Sequence, residues 1–166
     1  MVGCNVSNRV FLLVRAGFGV EARLARQKEK GMWTHAGILV NDVVFECVPD
    51  TEQGVGGAIR SRVDDFANPL KARQAGRVVV SLESARAINL RDWCETRVNA
   101  GMPFDNTYDL STDDAMYCTE FVLKAFRSIG MDLLSGPLAE VRIPFSGVRN
   151  VIFPSDLIGD REMVFI

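Results

Sequence analysis

Two runs of β-branched and aliphatic residues, 34–40 and 43–48, are separated by only Asn41 and Asp42. Two short apolar runs joined by two turn-forming residues specify a β-hairpin. With a two-residue loop, Val40 pairs with Val43, Leu39 with Val44, Gly37 with Glu46 and His35 with Val48. Side chains alternate faces along a strand, so His35, Gly37, Leu39, Val44, Glu46 and Val48 share one face. His35 and Glu46 then become diagonal neighbours, and the missing side chain at Gly37 leaves room for imidazole and carboxylate to meet. A loop one residue longer would turn Glu46 to the opposite face. His35 is the only histidine in the chain. In strands this apolar, a histidine and a glutamate on one face need partners. A carboxylate on one imidazole nitrogen fixes the tautomer and leaves the other nitrogen to serve a nucleophile. The alternative is a histidine satisfied within its strand beside a solvated glutamate.

A nucleophile stands far downstream. In the segment 116–130, Phe121, Val122, Ala125, Phe126 and Ile129 recur at helical spacing, and Gly130 is placed to close the helix. Ser111, Thr112, Asp113 and Asp114 are candidate N-caps. Cys118 lies at the front of this helix, where the dipole favours thiolate, the nucleophilic form of cysteine. Cys118 also continues the Val122, Ala125 and Ile129 stripe, so it would equally serve as a small buried apolar side chain.

The chain has 166 residues with a formal net charge of -2. That length allows one domain, 1–166, with a full core, and the charge balance points to neither nucleic acid nor a membrane surface. Arg23, Arg26, Lys28 and Lys30 read as the solvated side of a short helix over 20–30. No segment is long and apolar enough to span a bilayer, and the early apolar run 10–14 is too short for a signal-peptide core. The expectation is a protein that starts in the cytoplasm, unless a dedicated machine exports it or a leader has been removed. Cysteines 4, 47, 94 and 118 follow no disulfide or zinc spacing, so free thiols and no metal or organic cofactor are expected.

Strands are expected over 9–14 and 77–82, with further short ones at 141–145, 150–153 and 162–166. A helix is expected over 84–99, with Ala87, Leu90, Cys94 and Val98 on one stripe. The Gly- and Pro-punctuated stretch 49–76 reads as a long, site-forming loop. Residues 154–157 read as a turn entering a helical turn. This mixed order argues for an α+β fold.

The segments Thr34-His35-Ala36-Gly37-Ile38, Phe45-Glu46 and Tyr117-Cys118-Thr119-Glu120-Phe121-Val122, in that order, resemble the circularly permuted NlpC/P60-type cysteine peptidases. The resemblance is closest to their YiiX/YebB-like branch, related to the lecithin:retinol acyltransferase group. Met102-Pro103-Phe104-Asp105 and Phe153-Pro154-Ser155-Asp156-Leu157 extend it, and Thr119 stands where serine is commoner. The resemblance implies a circularly permuted papain-like α+β fold, in which a cysteine-bearing helix packs against an antiparallel sheet. It implies Cys118 as nucleophile, His35 as general base and acid, Glu46 as orienting acid, and Tyr117 beside the oxyanion or substrate site. Glu120 and Asp105 would bond loop backbone around the site. The activity implied is a thiol hydrolase on amide bonds, in cell-wall or γ-linked peptides, with a peptide or acyl substrate. The alternatives are an acyltransferase or esterase on lipid-like substrates, and a non-catalytic peptide- or lipid-binding domain. If the protein is an exported effector, a cognate inhibitor would be its partner.

Overall fold

The computed structural model describes residues 9–18, 28, 31–51 and 54–166. Most of the helix expected over 20–30, and Cys4, lie outside these residues. Strand β1 (Val10–Gly17) is followed by β2 (His35–Val40), β3 (Val43–Val48) and β4 (Gly57–Ser61). A single helical turn, α1 (Val63–Phe66), leads into the long strand β5 (Ala72–Val80), and then to helix α2 (Ser84–Asn99) and helix α3 (Cys118–Ser128). The chain finishes with β6 (Ala139–Ile143), β7 (Gly147–Val151), α4 (Pro154–Ile158) and β8 (Met163–Phe165). Six strands form one sheet in the order β4-β3-β2-β1-β5-β8, and β6 and β7 form a separate hairpin. Every pairing is antiparallel, which makes this an α+β protein.

The central hairpin has the register that a two-residue loop demands. Val40 faces Val43, Leu39 faces Val44, Ile38 faces Phe45 and Gly37 faces Glu46. Asn41 takes φ 56°, the left-handed conformation such a turn requires and asparagine tolerates. All of β2 is buried, so both faces of the sheet are covered there. On one face Ala36, Ile38, Val40, Phe45 and Cys47 join the main core with Leu90, Phe121, Val122 and Phe126 from the helices. On the other, Leu13, Leu39 and Val44 pack with Phe66 of α1.

Helix α3 lies against β2, β3 and α2, with Phe121, Val122, Leu123, Ala125 and Phe126 buried and Lys124, Arg127 and Ser128 on its outer side, the pattern of an amphipathic helix. Trp93 of α2 meets Phe121 with ring centroids 5.4 Å apart. Ile129 is its C-cap, and Gly130 follows at φ 75°, as its place in the sequence suggests. The expected caps at 111–114 are not caps. Tyr117 holds the N-cap position, and its backbone N–H donates to Glu120 at 3.4 Å. The acidic stretch is used differently: Lys124 Nζ reaches Asp113 at 2.6 Å and the Thr112 carbonyl at 2.5 Å, binding the preceding loop to the helix.

The stretch 49–76 is not one long loop. It contains β4, α1 and the first half of β5. Polar and glycine residues disguised β5, because Arg73, Gln74 and Arg77 point to solvent while Ala72, Ala75 and Val78 point inward. Arg60 of β4 pairs with Glu95 of α2 and donates to Asn99 at 2.6 Å, fastening the sheet edge to the helix.

Gly37 is a point of close approach. A Cβ there would sit 3.1 Å from the Phe45 carbonyl oxygen and 3.1 Å from the Phe66 ring. Gly37→Ala is therefore expected to destabilise the protein by about 1–3 kcal/mol through overpacking. A urea melt measures this, and an unchanged midpoint would show that the ring and strand yield freely.

Candidate active site

Four neighbouring strands each contribute to one row of polar side chains. Arg15 of β1 faces His35 of β2 across the ladder. Glu46 of β3 faces Gly37, and Ser61 of β4 faces Val44, two residues along from Glu46 on the same face. His35 Nε2 and Glu46 Oε2 are 2.8 Å apart, the diagonal contact that the hairpin register sets up. Ser61 Oγ donates to Glu46 Oε1 at 2.5 Å, and Arg15 Nη1 lies 3.5 Å from Glu46 Oε2. His35 and Glu46 are 5% and 2% exposed, so neither can rely on water for a partner.

Cys118, the first residue of α3, comes near the start of β2 and interacts electrostatically with His35. The His35 ring thus has Glu46 on Nε2 and the Cys118 side chain as an electrostatic neighbour. Being first in the helix, the Cys118 backbone N–H has no intrahelical acceptor. Burial disfavours a charged imidazole. Arg15 opposes it as well, but Cys118 and Glu46 together outweigh both, leaving the His35 pKa at about 9. Burial works against a charged Glu46 too, yet its bond to His35, with Arg15 and Ser61, lowers its pKa to about 2. The Phe66 ring packs at 5.7 Å from the imidazole and completes the enclosure.

Beside Cys118 is a small pocket of about 20 Å³, lined by Thr34, Tyr108, Tyr117 and Thr119 and by the segment 151–154 that follows β7. It has room for about one water-sized group. Tyr117 contributes its ring to the wall, and its hydroxyl accepts a hydrogen bond from the Ile152 N–H at 3.0 Å. Thr119 donates to the Ile152 carbonyl at 2.7 Å, so the wall is bonded to the helix start at two points. Asp105 accepts from the Thr107 and Asp109 backbone N–H groups at 2.7 and 2.6 Å, shaping the loop that carries Tyr108. Glu120 is fully buried, and burial pushes its carboxyl up to about 7 against the pull of Lys124, 2.8 Å away. Both carboxylates bond backbone, as their positions suggest.

The structure brings Cys118, His35, Glu46 and Tyr117 together. Sequence reasoning missed Arg15, Ser61 and Phe66. Arg15 looked like the end of an apolar run, although its spacing from Leu13 puts it on the side-chain parity of the site. Ser61 and Phe66 lay in the stretch mistaken for a loop. The other described cysteines, Cys47 and Cys94, are buried free thiols whose pKa values burial pushes up, as inert structural cysteines show.

A six-stranded antiparallel sheet with a buried cysteine, histidine and glutamate where a central helix begins defines the class of this α+β fold. The chain is similar to the metalloprotein YiiX from Escherichia coli O157:H7 (DUF1105), whose crystal structure superposes with a TM-score of 0.72 over 96% of each chain at 16% identity. That likeness is one of fold. No family model and no curated protein sequence matches the chain.

Proposed function

We propose that this protein is a thiol hydrolase that cleaves an amide bond through Cys118, His35 and Glu46, on a circularly permuted papain-like fold of the NlpC/P60 type. The observation that carries this reading is the histidine: Glu46 holds Nε2 of the buried His35 ring at 2.8 Å, and Cys118, at a helix start, acts on the same imidazole. His35 takes the Cys118 proton, and the thiolate attacks the substrate carbonyl. The oxyanion is stabilised by the Cys118 backbone N–H, which faces no helical acceptor, within the small pocket. His35 then gives its proton to the leaving amine. Water, activated by the same imidazole, hydrolyses the thioester and regenerates the thiol.

A pocket of about 20 Å³ fits a carbonyl oxygen or a methyl-sized group and offers no room for a long acyl chain. The similar fold is that of a protein described as a metalloprotein. The residues here do not suit that role: among the described residues, no group of three or more His, Cys, Asp or Glu side chains is arranged to hold a metal ion, and a guanidinium already lies beside Glu46. No helix among the described residues is long and apolar enough to cross a membrane.

The test uses peptidyl coumarin amides and, in parallel, medium-chain p-nitrophenyl esters. Acid quenching followed by mass spectrometry looks for an acyl adduct on Cys118. Amide cleavage with such an adduct, both absent from Cys118→Ser, is the expected result. An adduct from the long esters alone would favour the acyltransferase reading, and no adduct from either set would leave a binding domain.

A further inference from the structure

Arg15 is a partly buried cation with no role in the chemistry above. Its side chain is only 12% exposed. The guanidinium is fixed from three sides. Nη1 donates to the Phe66 carbonyl at 3.2 Å, the group lies 4.9 Å over the Phe66 ring, and Nη1 is 3.5 Å from Glu46 Oε2. The same Phe66 ring packs on His35, so cation, ring, imidazole and carboxylate form one enclosed cluster. Glu46 does not depend on Arg15 for its position. His35 holds Oε2 at 2.8 Å, and Ser61 holds Oε1.

We propose that Arg15 is a positioning residue of a particular kind: a fixed counter-charge whose place beside Glu46 sets how tightly His35 holds its proton. The inference rests on the thiol-hydrolase reading for its purpose, but not for its test. An imidazole between a carboxylate and a thiolate binds its proton strongly and gives it up poorly. A general acid works best when its affinity lies near the working pH. A second cation beside the carboxylate offsets part of the carboxylate's pull on the imidazolium, and the low-polarity surroundings strengthen that offset. The groups that act on His35 are Arg15 from β1, Glu46 from β3 and Cys118 from α3, and the first is the one whose charge opposes protonation.

Because His35 is the only histidine, its imidazole carbon-bound protons give an unambiguous NMR titration in the whole protein. Arg15→Met removes the charge and keeps much of the volume. It is expected to raise the His35 titration midpoint by roughly one pH unit. Arg15→Lys keeps the charge and is expected to stay near the wild-type midpoint. Arg15→Gln, which can still donate to the Phe66 carbonyl, should move it up as Met does, and it serves if the Met variant does not fold. A midpoint that falls, or stays in place, in the uncharged variants overturns the proposal. A fall would mean that Arg15 merely props Glu46 against the ring. If Cys118 proves unreactive toward amides while the midpoint still rises, the hydrolase reading fails and the counter-charge assignment stands.

Discussion

His35→Ala is expected to slow alkylation of Cys118 by iodoacetamide at pH 5.5 by roughly a hundredfold or more. An ordinary thiol with a pKa near 8.5 is about one part in a thousand thiolate at that pH, and only the thiolate reacts. If His35 takes the proton of Cys118, as the hydrolase reading requires, the thiol reacts as thiolate at acid pH, and a somewhat lower intrinsic nucleophilicity returns only part of the gain. The rate is read at the Cys118 peptide by mass spectrometry. The buried Cys47 and Cys94 are internal controls. At pH 9.5 the gap between wild type and variant should nearly close, since the bulk of ordinary thiols ionise there. Equal rates at both pH values would mean that His35 does not activate the thiol.

Glu46→Ala should be the most destabilising change at the site, by about 3–5 kcal/mol, because it leaves Arg15 without its carboxylate and removes the carboxylate bonded to buried His35. The loss depends on pH with a definite sign. Glu46 has its pKa lowered to about 2, so its contribution is full above the ordinary carboxylate value and disappears as pH falls through 2. His35 has its pKa raised to about 9, so its contribution is full below the ordinary histidine value and disappears as pH rises through 9. Wild type should therefore be most stable, relative to Glu46→Ala, between roughly pH 4.5 and 6.5. Guanidinium melts across pH 2–10 give the difference curve. A flat curve would mean that the pair is not ionised in the fold.

The parts of this protein that were legible in its sequence are those where one periodicity ran without interruption. The Asn41-Asp42 hairpin alternates cleanly, so its register, and with it the meeting of His35 and Glu46, follows from counting residues. The α3 stripe from Phe121 to Ile129 is equally clear, and Gly130 marks its end. Strand β5 was half hidden because Arg73, Gln74 and Gly76 look like loop residues until β1 and β8 are seen to flank them. Arg15 was hidden for a different reason. Its role depends on β1 lying next to β2, a long-range pairing that no local pattern encodes. The caps of α3 were misplaced because Asp113 serves Lys124 from outside the helix, a side-chain contact that resembles capping chemistry in sequence.

The two-residue turn at Asn41-Asp42 touches no substrate and no catalytic atom. Yet it fixes the parity of everything that follows it on β3. If the turn keeps two residues, one residue gained there slides β3 so that Phe45 takes the place of Glu46 opposite Gly37 and the carboxylate turns into the core. Two residues gained would restore the alternation. The length of this turn is thus a heritable constraint counted in even steps, and it makes a remote surface loop as unforgiving of insertion as the active site it serves.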